Sequence, residues 1–168
     1  SSPGGRFHFA IVGKPKKQVK VWDLKGSGQP EIVALQSLEK AYCDPEAISD
    51  DGRLAWYCAD RDVVLVARPG QPPLARIRVA DESRVESVRF SASGRLLAMT
   101  LEDDSIRVFD TSTGAARPIM KGHDGLVTGI DFSSDDRYLV STSEDATARV
   151  WEAAPTGAAA DPSSPRTA

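Results

Sequence analysis

By residue type His123, Ser141 and Asp145 are a general base, a nucleophile and an orienting carboxylate, and all three fall within one short stretch. A hydroxyl whose proton is taken by an imidazole, itself held in one tautomer by a carboxylate, is the arrangement of acyl-transfer hydrolases. Around Ser141 the chain reads Tyr138-Leu139-Val140-Ser141-Thr142, without the glycines of a nucleophile elbow. Two histidines and two cysteines, with no Cys-x-x-Cys spacing, make a poor donor set for zinc. Gly13-Lys14 lacks the upstream glycine and the following Ser or Thr of a phosphate loop. Asp50-Asp51 and Asp103-Asp104 offer oxygens to calcium, but aspartates in turns more often bond their own backbone. The expectation is a chain with no catalytic, metal-binding or cofactor-binding residues and no enzymatic activity of its own.

Lys14, Lys16, Lys17 and Lys20 form one basic cluster. It reads as a solvated hairpin or as a contact patch for an acidic peptide or phosphate. No aromatic residues are interleaved with it, so single-stranded nucleic acid is not the expected ligand. The net charge of −3 gives no general attraction to nucleic acid or to an anionic membrane. No apolar run approaches the roughly 18 residues of a membrane-spanning helix. No signal peptide is visible and the chain does not open on Met, as a processed chain or a fragment would not. Cys43 and Cys58 are expected as buried reduced thiols in neighbouring strands, a cross-strand bond being the alternative. Reduced thiols point to a reducing compartment, and a cytoplasmic protein is expected.

The positioning elements are strands. At 40% hydrophobic and 27% charged residues the chain is globular. Residues 7–12, 18–23, 127–132, 137–142 and 147–151 read as strands, with the period-2 alternation of half-buried strands in Ile130-Asp131-Phe132 and Ala148-Arg149-Val150-Trp151. Turn residues part them, and no segment has a helical period.

The strands repeat. A step of 42 residues carries Val127, Phe132, Ser133, Arg137, Asp145, Val150 and Trp151 onto Val85, Phe90, Ser91, Arg95, Asp103, Val108 and Phe109. A second step reaches Ile48, Ser49, Gly52, Arg53, Leu54 and Val66, and turns of one type recur at residues 2–6, 49–53, 91–95 and 133–137. The stretch from Gly122-His123 to Trp151-Glu152, with Val21-Trp22-Asp23 near the start, resembles the WD-repeat β-propeller family, whose repeats run about 40–45 residues from a Gly-His to a Trp-Asp pair. Trp-Glu in place of the final pair is a mild departure.

That resemblance implies an all-β fold of antiparallel four-stranded blades. The propeller segment spans residues 1–152, with blades at about 2–37, 38–80, 81–121 and 122–152, and a flexible Ala/Pro/Ser-rich tail follows at 153–168. Three, four, four and three strands are expected, since the first blade lacks a strand before Phe7, while Pro162 and Pro165 argue against a last outer strand in the tail. The propeller is then incomplete and open: a fragment of a longer one, or a protomer that self-associates through its terminal blades. The family further implies a structural hydrogen-bonded set, here His123, Ser141, Asp145 and Trp151, with Trp22 and Asp23 as the earlier copy. The corresponding residues are Asp81, Met99, Asp103 and Phe109 in the third blade and Glu39, Tyr57, Arg61 and Ala67 in the second, so only the last blade has the full set. Family members are mostly non-catalytic platforms for proteins or peptides. The implied function is therefore a protein-interaction module, scaffold or sensor, within a larger protein. The alternative is the propeller of an enzyme or signalling ATPase or kinase whose catalytic domain lies outside this chain. The loops of one blade end would hold the partner, through Lys14, Lys16, Lys17, Arg61, Arg84, Glu102, Asp104 and Glu144.

Overall fold

The computed structural model describes residues 1–12, 18–26, 29, 31–33, 43–58, 63–68, 71, 74–79, 83–153 and 166–167. All regular elements among them are strands, in four antiparallel sheets. The first sheet holds β1 (Phe7–Val12), β2 (Gln18–Asp23) and β3 (Glu31–Val33) in that order. The second holds β4 (Cys43–Ile48), β5 (Leu54–Cys58), β6 (Val63–Ala67) and β7 (Ala75–Arg78). The third holds β8 (Val85–Phe90), β9 (Leu96–Leu101) and β10 (Ile106–Asp110). Its outer edge is closed by two bridges, Ile106 to Met120 and Phe109 to Ala116. The fourth holds β11 (Val127–Phe132), β12 (Tyr138–Ser143), β13 (Ala148–Glu152) and β14 (Arg166–Thr167).

The sheets are propeller blades stacked face to face in chain order, β1 on β4, β4 on β8 and β8 on β11. Three apolar clusters fill the junctions. Phe7, Phe9, Val19 and Val21 meet Ile48, Leu54 and Trp56 between the first and second blades. Ala55, Val66 and Ile77 meet Phe90, Leu97 and Met99 between the second and third. Leu96, Ala98, Ile106 and Val108 meet Ile130, Leu139 and Trp151 between the third and fourth. Because β9 lies in the middle of a sheet covered on both faces, all six of its residues are buried. Its sequence, LLAMTL, is accordingly a continuous apolar run broken by one Thr, not an alternation.

In one blade the register departs from the repeat. Phe90 pairs with Leu97 and Phe132 with Leu139, leaving residues 91–96 and 133–138 in the turns. Ile48 pairs with Leu54, leaving only 49–53. The same difference shows in the backbone, where the Ser91 and Ser133 N–H groups bond Leu96 and Tyr138 carbonyls but the Ser49 N–H bonds Arg53. A one-residue slip turns every side chain to the other face of a strand. Leu54, Trp56 and Cys58 therefore pack toward the first blade, although their counterparts 42 residues on, Leu96 and Ala98, pack toward the fourth. By β6 the step is restored, for Val66 faces the next blade as Val108 does. The counterpart of Ser141 in the second blade is thus Trp56, not Tyr57.

Two further expectations change. The last blade is not left a strand short, because Arg166 and Thr167 pair with Val150 and Arg149. Strand addition uses main-chain groups, so apolar alternation is not required of so short an edge. Ala153, expected as the first residue of a flexible tail, is buried with its N–H on the Arg137 carbonyl, and residues 154–165 and 168 lie outside the described residues. Reduced cysteines are also corrected, since Cys58 is disulfide-bonded. Cys43, the other cysteine of the chain, stands directly opposite it in the β4–β5 register. Opposed residues in an antiparallel pair have Cα atoms about 4.5–5.5 Å apart, inside the range a disulfide spans.

Closing a loop of this length constrains the unfolded chain by roughly 3 kcal/mol. Under denaturing, non-reducing conditions neither cysteine should react with an alkylating agent. Reduction, or Cys58→Ser, should lower the unfolding free energy by about 2–4 kcal/mol in guanidinium titrations. Two free thiols, or equal midpoints with and without reductant, would show that the bond does not form.

Candidate functional site

In the fourth blade one polar chain runs from the loop before β11 through β12 to β13. The Trp151 indole N–H donates to Ser141 Oγ at 2.8 Å. Ser141 Oγ lies 2.7 Å from His123 Nε2, and His123 Nδ1 lies 2.7 Å from Asp145 Oδ2. An indole only donates and an ionised carboxylate only accepts, so the proton order is fixed at both ends. Trp151 donates to the Ser141 hydroxyl, the hydroxyl donates to Nε2, and Nδ1–H donates to Asp145.

Asp145 is the hub. It also accepts the Thr147 hydroxyl at 2.7 Å, the Thr147 N–H at 2.8 Å and the Asp124 N–H at 3.1 Å. Partial burial by itself would raise its pKa. The bonds from Thr147, His123 and the two backbone N–H groups outweigh that and hold the carboxyl well below the usual carboxylate range. Ser143 Oγ donates to Gly125 O at 2.7 Å, and the Glu144 N–H to Leu126 O at 3.0 Å, so the loop before β11 is laced to the β12–β13 turn. Thr147, Ser143 and Gly125 were not singled out in the sequence. The signal available was the turn chemistry of Ser-Glu-Asp-Ala-Thr, where Asp and Ser bond nearby main chain.

Ser141, His123 and Asp145 thus have the connectivity of a hydrolytic triad, yet the hydroxyl is 0% exposed and Trp151 1% exposed. Ser141 already accepts from Trp151 and donates to His123, with no opening for a substrate carbonyl. This network fastens two loops to the sheet. Trp22 stands on the face of β2 opposite Val19 and Val21 and is half-buried, while Asp23 pairs with Arg6 at 2.7 Å. Among the described residues the third blade repeats only part of the pattern, with Asp103 accepting from the Ser105 hydroxyl and N–H.

Of the candidate contact residues, Arg84, Glu102 and Glu144 are exposed and Asp104 is half-buried. They lie at one end of the blades, in the segment before β8 and in the β9–β10 and β12–β13 loops. Arg84 and Glu102 are brought together, the Glu102 N–H bonding the Arg84 carbonyl at 3.0 Å. Lys14, Lys16, Lys17 and Arg61 lie outside the described residues, as do Glu39 and Asp81.

Residues 73–110 and 116–152 match the family pattern described as WD domain, G-beta repeat. The chain carries WD40 repeats of the β-propeller family. Each WD40 match begins in or beside the outer strand of one sheet and ends on the third strand of the next, at Asp110 and Glu152. The sequence repeat is offset from the sheet, so every repeat stitches two blades together. No curated protein matches the chain in sequence. Among solved structures, KlHsv2 with loop 6CD replaced by a Gly-Ser linker is similar, with a TM-score of 0.63 and 20% identity over 86% of this chain and 47% of that one. A chain of the mitotic checkpoint complex crystal structure is similar with a TM-score of 0.64 and 19% identity, over 88% and 43%. The likeness is one of fold. The WD40 segment spans less than half the length of these propellers and is a partial propeller.

Ser141→Ala should strand the Trp151 N–H and His123 Nε2 together, costing roughly 1–3 kcal/mol for each buried group left unpaired. Trp151→Ala should cost about 3–5 kcal/mol. A loss under about 1 kcal/mol for either in denaturant titration would exclude the network as a stabilising feature. Because the folded pKa of Asp145 is depressed, its contribution is present at neutral pH and is lost as pH falls below about 4 toward the folded value. Asp145→Asn should therefore be less stable than the parent at pH 7 and lose less on acidification. Parallel pH profiles for the two proteins would contradict this.

Proposed function

We propose that this WD40 segment is a non-catalytic protein-interaction module, a scaffold or sensor within a larger protein. It would hold a protein or peptide at the blade end that carries the β9–β10 and β12–β13 loops. WD40 domains generally mediate protein interactions, and the checkpoint-complex chain of similar fold belongs to a multiprotein assembly. The observation that carries the reading is structural. The polar network holds the loops of the last blade beside exposed Glu144, and a main-chain bond from Glu102 to Arg84 ties the neighbouring loops of that end. Preorganised loops lose little entropy on binding. A cytoplasmic location no longer has the support of free thiols, given the bonded Cys58.

Self-association through the terminal blades is part of the proposal. The outward face of the last blade exposes Val140 at 43%, a position whose counterpart 42 residues earlier, Ala98, is buried in a junction. Light scattering should then show a dimer or larger species at micromolar concentration, and a well-dispersed monomer that binds no apolar dye would rule it out.

Charge reversal at Glu102, Asp104 and Glu144 together should slow association with a captured partner and change its salt dependence while leaving stability within about 0.5 kcal/mol. Unaltered association kinetics at low salt would remove this rim from the contact surface.

A further inference from the structure

The recurring turn ends on an arginine in every blade, and the four arginines have different fates. Arg6 pairs with Asp23 at 2.7 Å, and Arg137 lies over the Tyr138 ring at 5.4 Å. Arg53 crosses to the next blade, donating to Gly94 O and to Thr111 Oγ1, each at 2.8 Å. Arg95 has no partner for its guanidinium among the described residues. The cause is the residue it would have to cross. A Cβ on Gly94 would stand 2.7 Å from an Arg53 guanidinium nitrogen, so that path exists only over glycine. The next turn has Asp136 in the place of Gly94, and Ala153 stands 42 residues after Thr111, without a hydroxyl. Arg95 can neither follow the path nor find the acceptor.

What remains is a cleft of about 260 Å³ between the third and fourth blades, lined by Ser93, Arg95, Arg117, Ser134, Asp135 and Asp136. It lies at the blade end of the β8–β9 and β11–β12 turns, opposite the rim discussed above. Arg117 Nε is buried there without a hydrogen-bond partner. The carboxylates are already engaged, Asp136 by the hydroxyls of Ser91 and Ser93 and Asp135 by the Ser133 hydroxyl and the Arg137 N–H. The unspent capacity of the lining is therefore donor capacity from two guanidinium groups, the geometry that takes a carboxylate or phosphoryl group in paired bonds.

We propose that this cleft binds one anionic side chain, a carboxylate or a phosphoryl group, of a peptide segment. The dimensions suit a single side chain. Asp135 and Asp136 in the lining, with a net charge of −3, oppose a continuous anionic surface such as a membrane. In its ligand class the proposal rests on the reading of the chain as a peptide-binding module, but it uses the other blade end. Arg95→Gln should thus leave a partner held on the Glu102 and Glu144 rim unaffected.

The test is fluorescence anisotropy on the full chain with short peptides identical except for phosphoserine, glutamate or serine at the centre. Inorganic phosphate and anionic phosphatidylserine vesicles serve as comparison probes. The phosphoserine or glutamate peptide should bind and the serine peptide should bind at least roughly tenfold more weakly. Arg95→Gln and Arg117→Lys should each weaken binding by about tenfold with thermal unfolding unchanged for the former, whereas Arg137→Gln should not weaken it. Equal affinity of the three peptides, binding of inorganic phosphate alone, binding of vesicles alone, or indifference to Arg95→Gln would each overturn the proposal.

Discussion

Each inner blade of this chain buries both faces of its sheet, and a blade buries a face only against another blade. From that requirement follow the fully apolar β9, the three junction clusters and the sensitivity of the whole stack to register. A strand facing water on one side can slip with modest loss, but one enclosed on both sides exchanges the contents of two cores when it slips. The slip in β5 is tolerated because the side chains on each side suit it. Trp56 and Leu54 fill the first junction, and small Ala55 meets bulky Leu97 and Met99 in the second.

The polar network of the last blade answers a related need. The stack fastens the sheets, but the loops at the blade ends have no core of their own. In the fourth blade His123, Ser141, Asp145 and Trp151 tie loop to strand, with Thr147 and Ser143 as lateral fastenings. The indole provides both apolar area in the junction and the donor that sets the proton order of the chain. In the second blade the position of Ser141 is held by Trp56, and the disulfide at Cys58 supplies a covalent fastening between the same two kinds of strand. A bond in one blade and a hydrogen-bonded relay in another serve the same mechanical end.

At the opposite blade end the turns make the inter-blade contacts. The Gly4 N–H donates to Asp50, Arg53 reaches Gly94 and Thr111, and Asp136 takes hydroxyls from Ser91 and Ser93. Between the second and third junctions the partners change with the fourth turn residue, Gly94 or Asp136, and with the residue at the place of Thr111. Two differences between one junction and the next, Asp136 for Gly94 and Ala153 for Thr111, separate a structural clamp from a cleft with unspent donors.

Much of this was legible in the residues. Strand period, a step of 42 residues and the Gly-His and Trp-Glu pairs point to an all-β propeller and its blade order, since these depend on local alternation and on short-range turn chemistry, and the resemblance to WD repeats that they carry implies the composition of the polar network. Strand limits such as 7–12, 18–23 and 127–132 are readable for the same reason. Tertiary structure decided what depends on register and on neighbours in space. A turn one residue shorter, compensated before the next strand, leaves the 42-residue period untouched and so is invisible to it, yet it moves Trp56 rather than Tyr57 into the place of Ser141. Cys43 and Cys58 become a pair only when β4 and β5 are aligned. Arg6, Arg53, Arg95 and Arg137 are equivalent in the sequence; what each can touch is set by the adjacent blade.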